Sequence, residues 1–194
     1  MFGRRRKILA RGTRVYIFAP SRDCADEFIA FTSANEDFHQ PWVFPATDAA
    51  TYRGYLERLE DGRAQGFVVA RVADEAIMGV VNVNDIIRGG FSSALLGYYG
   101  SAAYARRGYM TEGLGLVLDQ AFDEIGLHRI EANVQPGNAN SLALIARLGF
   151  RKEGFSPRFL QIDGAWRDHE RWAILAEEWR AANRVRSEHV SRVV

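Results

Sequence analysis

The chain has 194 residues, of which 47% are hydrophobic and 25% charged, and a formal net charge of +1. That balance suits one globular domain spanning 1–194, excludes a disordered polymer, sets up no global field for specific nucleic-acid recognition, and contains no apolar run near the ~20 residues of a bilayer span. The only cysteine, Cys24, can neither close an intrachain disulfide nor build a thiolate cluster, so the chain is expected in a reducing cytoplasm without a bound metal.

The ends are basic. Arg4, Arg5, Arg6, Lys7, Arg11 and Arg14 precede the first acidic residue, and Arg180, Arg184, Arg186 and Arg192 crowd the other terminus. They read as solvated extensions of a core at about 15–179, with contact to ribosomal RNA or an acidic partner as the functional alternative. Residues 15–18 form the first expected strand. A helix follows from Ser21, a plausible N-cap, to about Ala34, with Cys24 a buried thiol near its start; a second helix runs over about 48–59. Between them, 35–45 is an aromatic, proline-marked loop. Its Phe38, His39 and Trp42 are candidates for an acceptor pocket, against the ordinary reading of aromatics buried under a long loop. Strands are expected at 67–72 and 77–83, joined by a turn at Asp74-Glu75, and again near 95–99.

From Tyr98 the chain runs through Ser101-Ala102-Ala103-Tyr104-Ala105-Arg106-Arg107-Gly108 into a helix whose apolar face is Leu114, Val117, Leu118, Ala121, Phe122 and Ile125. A helix start leaves about four N–H groups unbonded and carries partial positive charge, which suits a pyrophosphate; Gly108 allows close approach, and Arg106 and Arg107 add full charges. Gly113 and Gly115 lie inside the helix and read as sites of close packing, since neither a P-loop nor a dinucleotide fingerprint is present. Residues 128–134 alternate as a strand covered on one face. Asn138 then caps a short helix that stops at Gly149, and Asp163-Gly164 joins 158–162 to 165–175 in a hairpin.

The stretches Ala105-Arg106-Arg107-Gly108-Tyr109-Met110-Thr111-Glu112, Asn138-Ala139-Asn140-Ser141, Ala146-Arg147-Leu148-Gly149-Phe150-Arg151-Lys152-Glu153-Gly154-Phe155 and Ile162-Asp163-Gly164-Ala165-Trp166-Arg167-Asp168-His169 together give a specific order and spacing. In them the sequence resembles the GNAT acyltransferase superfamily, and within it the RimJ/RimL-like ribosomal-protein-alanine N-acetyltransferases. The resemblance implies an α/β (α+β) fold, with a mixed, mostly antiparallel sheet of six to seven strands, flanked by helices and splayed into a V between strands 4 and 5 by a bulge. It implies acetyl-coenzyme A as cosubstrate. Backbone groups from Arg106 through Arg107, Gly108, Tyr109 and Met110 to Thr111 would surround the pyrophosphate, and Tyr98, Tyr99 and Gly100 would run beside the pantetheine and thioester. Asn138 would bond the pantetheine arm, Ser141 would sit near the sulfur, and Arg147 would reach a phosphate or be a solvated helix charge.

Such chemistry needs positioning more than specialised groups, because the thioester is already activated. Ser141, with Tyr99 on the neighbouring strand, is the catalytic candidate; a hydroxyl in a first helical turn can equally be satisfied by nearby backbone. An α-amine with a pKa of ~8 is substantially neutral at pH 7, whereas lysine at ~10.4 is not, so an N-terminal acceptor needs little help from a base. Glu112 reads as a first-turn carboxylate favoured by the helix dipole. Asp168 and His169 take opposite facings on the hairpin, with Asp168 the candidate acceptor contact. Two departures stand out: Ala105 replaces the Gln or Arg that usually opens the loop, and Leu160 falls where part of the branch carries a glutamate proposed as base. Three functions follow: acetylation of a protein or peptide N-terminus, with ribosomal association as one setting, acetylation of a small amine such as a polyamine or antibiotic, or coenzyme binding without catalysis. The chain is expected as monomer or homodimer.

Overall fold

The computed structural model describes residues 6–191, with side chains described as far as Asn183. The strands are β1 (Ile8–Arg11), β2 (Val15–Phe18), β3 (Gln65–Arg71), β4 (Ile77–Ile87), β5 (Ser93–Gly100), β6 (Arg129–Val134), β7 (Arg151–Ile162) and β8 (Ala165–Leu175). They make one sheet in the order β1-β2-β3-β4-β5-β6-β8-β7, antiparallel throughout except for the parallel β5–β6 pair. The helices are α1 (Ala25–Ala34), α2 (Glu36–His39), α3 (Ala49–Glu60), α4 (Tyr109–Asp119, continued by a π turn over Gln120–Glu124), α5 (Ala139–Leu148) and α6 (Ala176–Ser191).

Both faces of the central strands are covered, which is why 15–18 and 67–70 are continuous apolar runs rather than alternating ones. Val15, Ile17, Phe67 and Val69 pack with Leu114, Val117 and Leu118 of α4, while Tyr16, Phe18, Val68 and Val80 pack with Phe28, Phe31 and Tyr52 of α1 and α3. The predicted cap at Asn138 holds, its side chain accepting from Ser141 N at 3.1 Å on α5, whereas Ser21 precedes a 3₁₀ turn over Arg22–Cys24 and makes no side-chain cap bond; α3 is capped by Asp48, which accepts from the N–H groups of Ala50 and Thr51. Cys24 is buried, with its thiol 3.2 Å from the Tyr52 hydroxyl.

The sheet has eight strands rather than six or seven. The extra one is β1, four residues long and embedded in the arginine-rich start, where its short Ile-Leu-Ala run carries too little alternation to stand out from a basic tail. Counting it moves the opening of the V to lie between β5 and β6. β5 is paired with β4 from Ser93 to Gly100 but with β6 only from Ser93 to Leu95, so 96–100 lack a neighbour on that side. A bulge lies in β4 between Asn84 and Ile87, opposite β5, where Asp85 has φ 50°.

Several of the basic residues are structural rather than solvated. Arg6 bonds both carboxylate oxygens of Glu27, the Tyr16 hydroxyl and the Glu75 carbonyl, and lies over the Phe18 ring; Arg180 pairs with Asp123. Arg4, Arg5 and Arg192 and the side chains of Arg184 and Arg186 fall outside the described residues.

Gly113 shows how tightly α4 sits on the sheet: a Cβ there would meet Val69 Cγ1 at 2.6 Å, with Val69 fully buried. Gly54, in α3, has no heavy atom within 4 Å of its would-be Cβ. One substitution should therefore act with opposite signs. Gly54→Ala is expected to stabilise by about 0.5–1 kcal/mol through helix propensity alone, and Gly113→Ala to destabilise by about 1–2 kcal/mol once overpacking outweighs that same gain. Urea midpoints of the two variants check this; a stabilised Gly113→Ala would show that α4 can lift off β3.

Candidate active site

The site grows out of the loop between β5 and α4. Arg106 has φ 62° and Gly108 φ 81°, and two left-handed residues so spaced turn successive N–H groups to one concave side. Among the described residues, the backbone N–H groups of Arg106, Arg107, Gly108, Tyr109, Met110 and Thr111 make no hydrogen bond within the protein. Six unbonded donors at the positive end of an 11-residue helix form a concave cradle of a kind that can hold a phosphate group. Glu112, predicted as a first-turn carboxylate, has a more specific job: its carboxylate accepts from the N–H of Arg14 at 2.7 Å and of Val15 at 3.3 Å, and pairs with Arg14 Nε at 3.0 Å. Burial raises its pKa and those bonds outweigh it, leaving it low. Arg14 also donates to the Arg107 carbonyl, so this ion pair ties the loop to the β1–β2 turn.

From that cradle a cleft of about 610 Å³ runs along the open edge of β5 to the 35–45 segment. Arg106, Gly108, Tyr109, Met110, Thr111, Asn138, Ser141 and Arg147 line one part, and Phe38, His39, Trp42, Leu160, Ile162 and His169 the other. Two of the expected side chains do not line it. Arg107 lies against Tyr104, and Asp168 accepts from the backbone N–H of Arg158 at 2.8 Å, closing the β7 irregularity instead.

Alternation along β5 separates the two tyrosines. Tyr98 faces the α4–α5 layer and Tyr99 the α1–α3 layer. It is Tyr98, rather than Tyr99, that meets Ser141: the two hydroxyls lie 2.5 Å apart, and Tyr98 also reaches the Ser141 carbonyl at 3.3 Å. Burial pushes the Tyr98 phenol up to about 12 although the Ser141 contact works the other way, so it holds its proton at neutral pH. Tyr99 is buried, its phenol raised further, and stacks with Phe31 and edge-on with His39.

His39 ends α2, a helix hidden from the sequence by the prolines around it; its Nε2 lies 2.8 Å from the Gly100 carbonyl and therefore donates, while its Nδ1 is sealed and unpartnered. Burial depresses its pKa, so it is neutral. Asn35 Oδ1 accepts from Ala102 N at 2.8 Å, so two side chains of the 35–45 segment pin the end of β5. Trp42 packs against Gly137, where even a Cβ would come within 3.1 Å of the indole. Sequence reasoning passed over Asn133 and Gln135, which line the cleft from the end of β6; the opposite facing of Asn133 to Ala132 and Val134 was the available signal.

A sheet opened along one strand, with a phosphate cradle at one end of the gap and a hydroxyl pair beside it, is the site of an enzyme that transfers an acyl group from a long phosphate-bearing donor. A sequence model of the acetyltransferase (GNAT) domain matches residues 14–151, and the chain belongs to that family of N-acetyltransferases. It is 35% identical over 175 residues to the probable N-acetyltransferase YjcK of Bacillus subtilis, covering 86% of this chain and 97% of that one. It is 33% identical over 157 residues to the ribosomal protein uS5-alanine N-acetyltransferase of Escherichia coli, covering 77% and 81%. Among solved structures, Mycobacterium smegmatis RimJ in complex with CoA-disulfide superposes with a TM-score of 0.76 at 31% identity, over 84% of this chain and 83% of that one. No helix among the described residues is long and apolar enough to cross a membrane.

Proposed function

We propose that the protein transfers acetyl from acetyl-coenzyme A directly to the N-terminal α-amine of a protein or peptide. The observation that carries this is the chemistry of the cleft wall: among the described residues, none that lines it is Asp or Glu. A polyamine brings two or more charges that each need a carboxylate, whereas a peptide N-terminus brings one amine that is already partly neutral near pH 7, followed by an uncharged backbone. The aromatic wall of Phe38, Trp42 and Tyr99 suits an uncharged first residue. Relatives that acetylate a ribosomal-protein alanine, such as the uS5 enzyme, support the same class.

The donor fits the residues present. The free N–H groups of 106–111 would hold the pyrophosphate, with Arg106 and Arg147 in reach of its charge, and Asn138 and the unpaired edge of β5 would hold the amide-bearing arm. The chain then orients the amine, excludes water along the aromatic wall, and offers the Ser141–Tyr98 pair as proton source for the departing sulfur. The test is thiol release from acetyl-coenzyme A with free-N-terminal peptides, the same peptides N-blocked but containing lysine, and spermidine. Turnover confined to the free peptides is the expected result, and turnover confined to spermidine would sink the proposal.

A further inference from the structure

The attacking nitrogen must lose a proton as the amide forms, and among the described residues no Asp or Glu lines the cleft to take it. We infer that His169 takes that proton. This rests on the proposed amine acetylation and names the group that completes it.

Of the two imidazoles in the cleft, only one offers a usable lone pair. His39 donates through Nε2 to the Gly100 carbonyl, and its remaining nitrogen is buried with nothing able to reach it. His169 is arranged the other way round. Its Nδ1 lies 3.0 Å from the Arg167 carbonyl, an acceptor, so the proton sits on Nδ1 and Nε2 carries the lone pair. Among the described residues no protein group bonds Nε2, and it is not among the sealed polar atoms; the ring lines the cleft. A backbone carbonyl holding one ring nitrogen while the other faces a cavity fixes the tautomer a base requires.

The sheet places this ring on the acceptor side. Asn133 pairs with Arg171, and His169 lies two residues along β8 on the same face, level with Gln135 past the end of β6, where the V is widest. Asn133 faces away from Ala132 and Val134, hence away from α4 and α5, while Tyr98 and Ser141 lie on the α4–α5 side. The base is thus on the opposite face of the gap from the proton source. An amine entering from the Phe38–Trp42 side would meet the thioester between them. Asn133 Oδ1, buried and unpartnered, is placed to hold the amine or a water that relays its proton.

The surroundings keep the ring neutral, so its lone pair is free to accept a proton. Burial depresses its pKa, while the bond to Arg167 and the charge of Asp168 oppose that only in part. Around it stand Asp168 and Glu170 on β8, Ser156 opposite on β7, and the Phe159 ring 6.0 Å away; the cleft side brings no carboxylate. Glu170 is engaged by Lys152 and the Trp172 indole.

The step balances without a further reactant. The nitrogen lone pair forms the N–C bond, the C–S bond breaks, the amine proton passes to His169 Nε2, directly or through one water, and the sulfur receives the proton of the Ser141–Tyr98 pair. Solvent then returns each group to its starting state.

The experiment compares wild type, His169→Gln and His169→Ala, using whichever acceptor wild type acetylates, with coenzyme A affinity measured separately. Expected is a fall in kcat of about 100-fold in both variants, with coenzyme A affinity unchanged. Added imidazole should restore part of the rate in His169→Ala in proportion to its concentration, which no structural role of the ring would produce. Rates within about threefold of wild type, or a loss that imidazole does not relieve, overturn the inference. If wild type acetylates only polyamines, the peptide reading fails and the same variants still decide His169; if it acetylates no amine, both fail.

Discussion

Gly108→Val is expected to weaken coenzyme A binding by about 100-fold while leaving the fold nearly as stable as wild type. Gly108 precedes α4 with φ 81° and ψ 0°, a conformation that a β-branched residue adopts only under strain. A Cβ there would also come within 3.1 Å of Arg14 Nη2, a guanidinium already held by Glu112 and the Arg107 carbonyl. The strain is relieved by turning the 106–108 peptides out of the left-handed arrangement. Because their N–H groups make no bond inside the protein, that costs the empty protein few contacts. The bound phosphate loses them instead, and one or two charge-assisted bonds at about 1.5–3 kcal/mol each correspond to roughly 100-fold in affinity. Titration calorimetry with coenzyme A beside a thermal melt reads both quantities. Unchanged affinity would show that the phosphate is held by arginine side chains rather than by the backbone cradle.

That cradle was legible in the sequence because it is local. A strand, a basic glycine loop and an apolar periodic helix lie within 30 residues, and a helix N-terminus carries its electrostatics wherever it is placed. The Asn138 cap and the Asp163-Gly164 hairpin were legible for the same reason. What escaped depends on partners distant in the chain. Tyr98 and Tyr99 are equivalent as sequence, and only the placing of α5 behind one face and α1 behind the other gives Ser141 to Tyr98 and the aromatic layer to Tyr99. For His39 the sequence leaves an acceptor-pocket contact and a buried aromatic side by side, and only the fold brings Gly100, 61 residues away, to its Nε2. Asp168 and His169 were correctly given opposite facings, but which of them meets the cleft depends on the irregularity between Ser156 and Leu160, whose Arg158 N–H occupies Asp168. β1 was missed because an edge strand of four residues is defined by its pairing with β2 and hardly at all by its own pattern.

The Ser141–Tyr98 pair supports the second large effect, and its form is more telling than its size. Ser141→Ala should lower kcat by about 100-fold, the low end for a general acid, because a thiolate with a pKa near 8.5 already leaves fairly well; the KM for acetyl-coenzyme A should change little. Tyr98→Phe should cost nearly as much. With the two oxygens 2.5 Å apart and the phenol held in its protonated form by burial, whichever hydroxyl meets the sulfur draws on the other as the proton moves. Independent donors would multiply their losses, giving the double variant roughly 10,000-fold. Two members of one proton path have only that path to lose, so the double variant should stay close to 100-fold, with a coupling energy near the whole of either single effect, about 2.7 kcal/mol. A double-mutant cycle on kcat at saturating donor measures it. Multiplicative losses would mean that Tyr98 acts by packing against α5 and that Ser141 protonates the sulfur unaided.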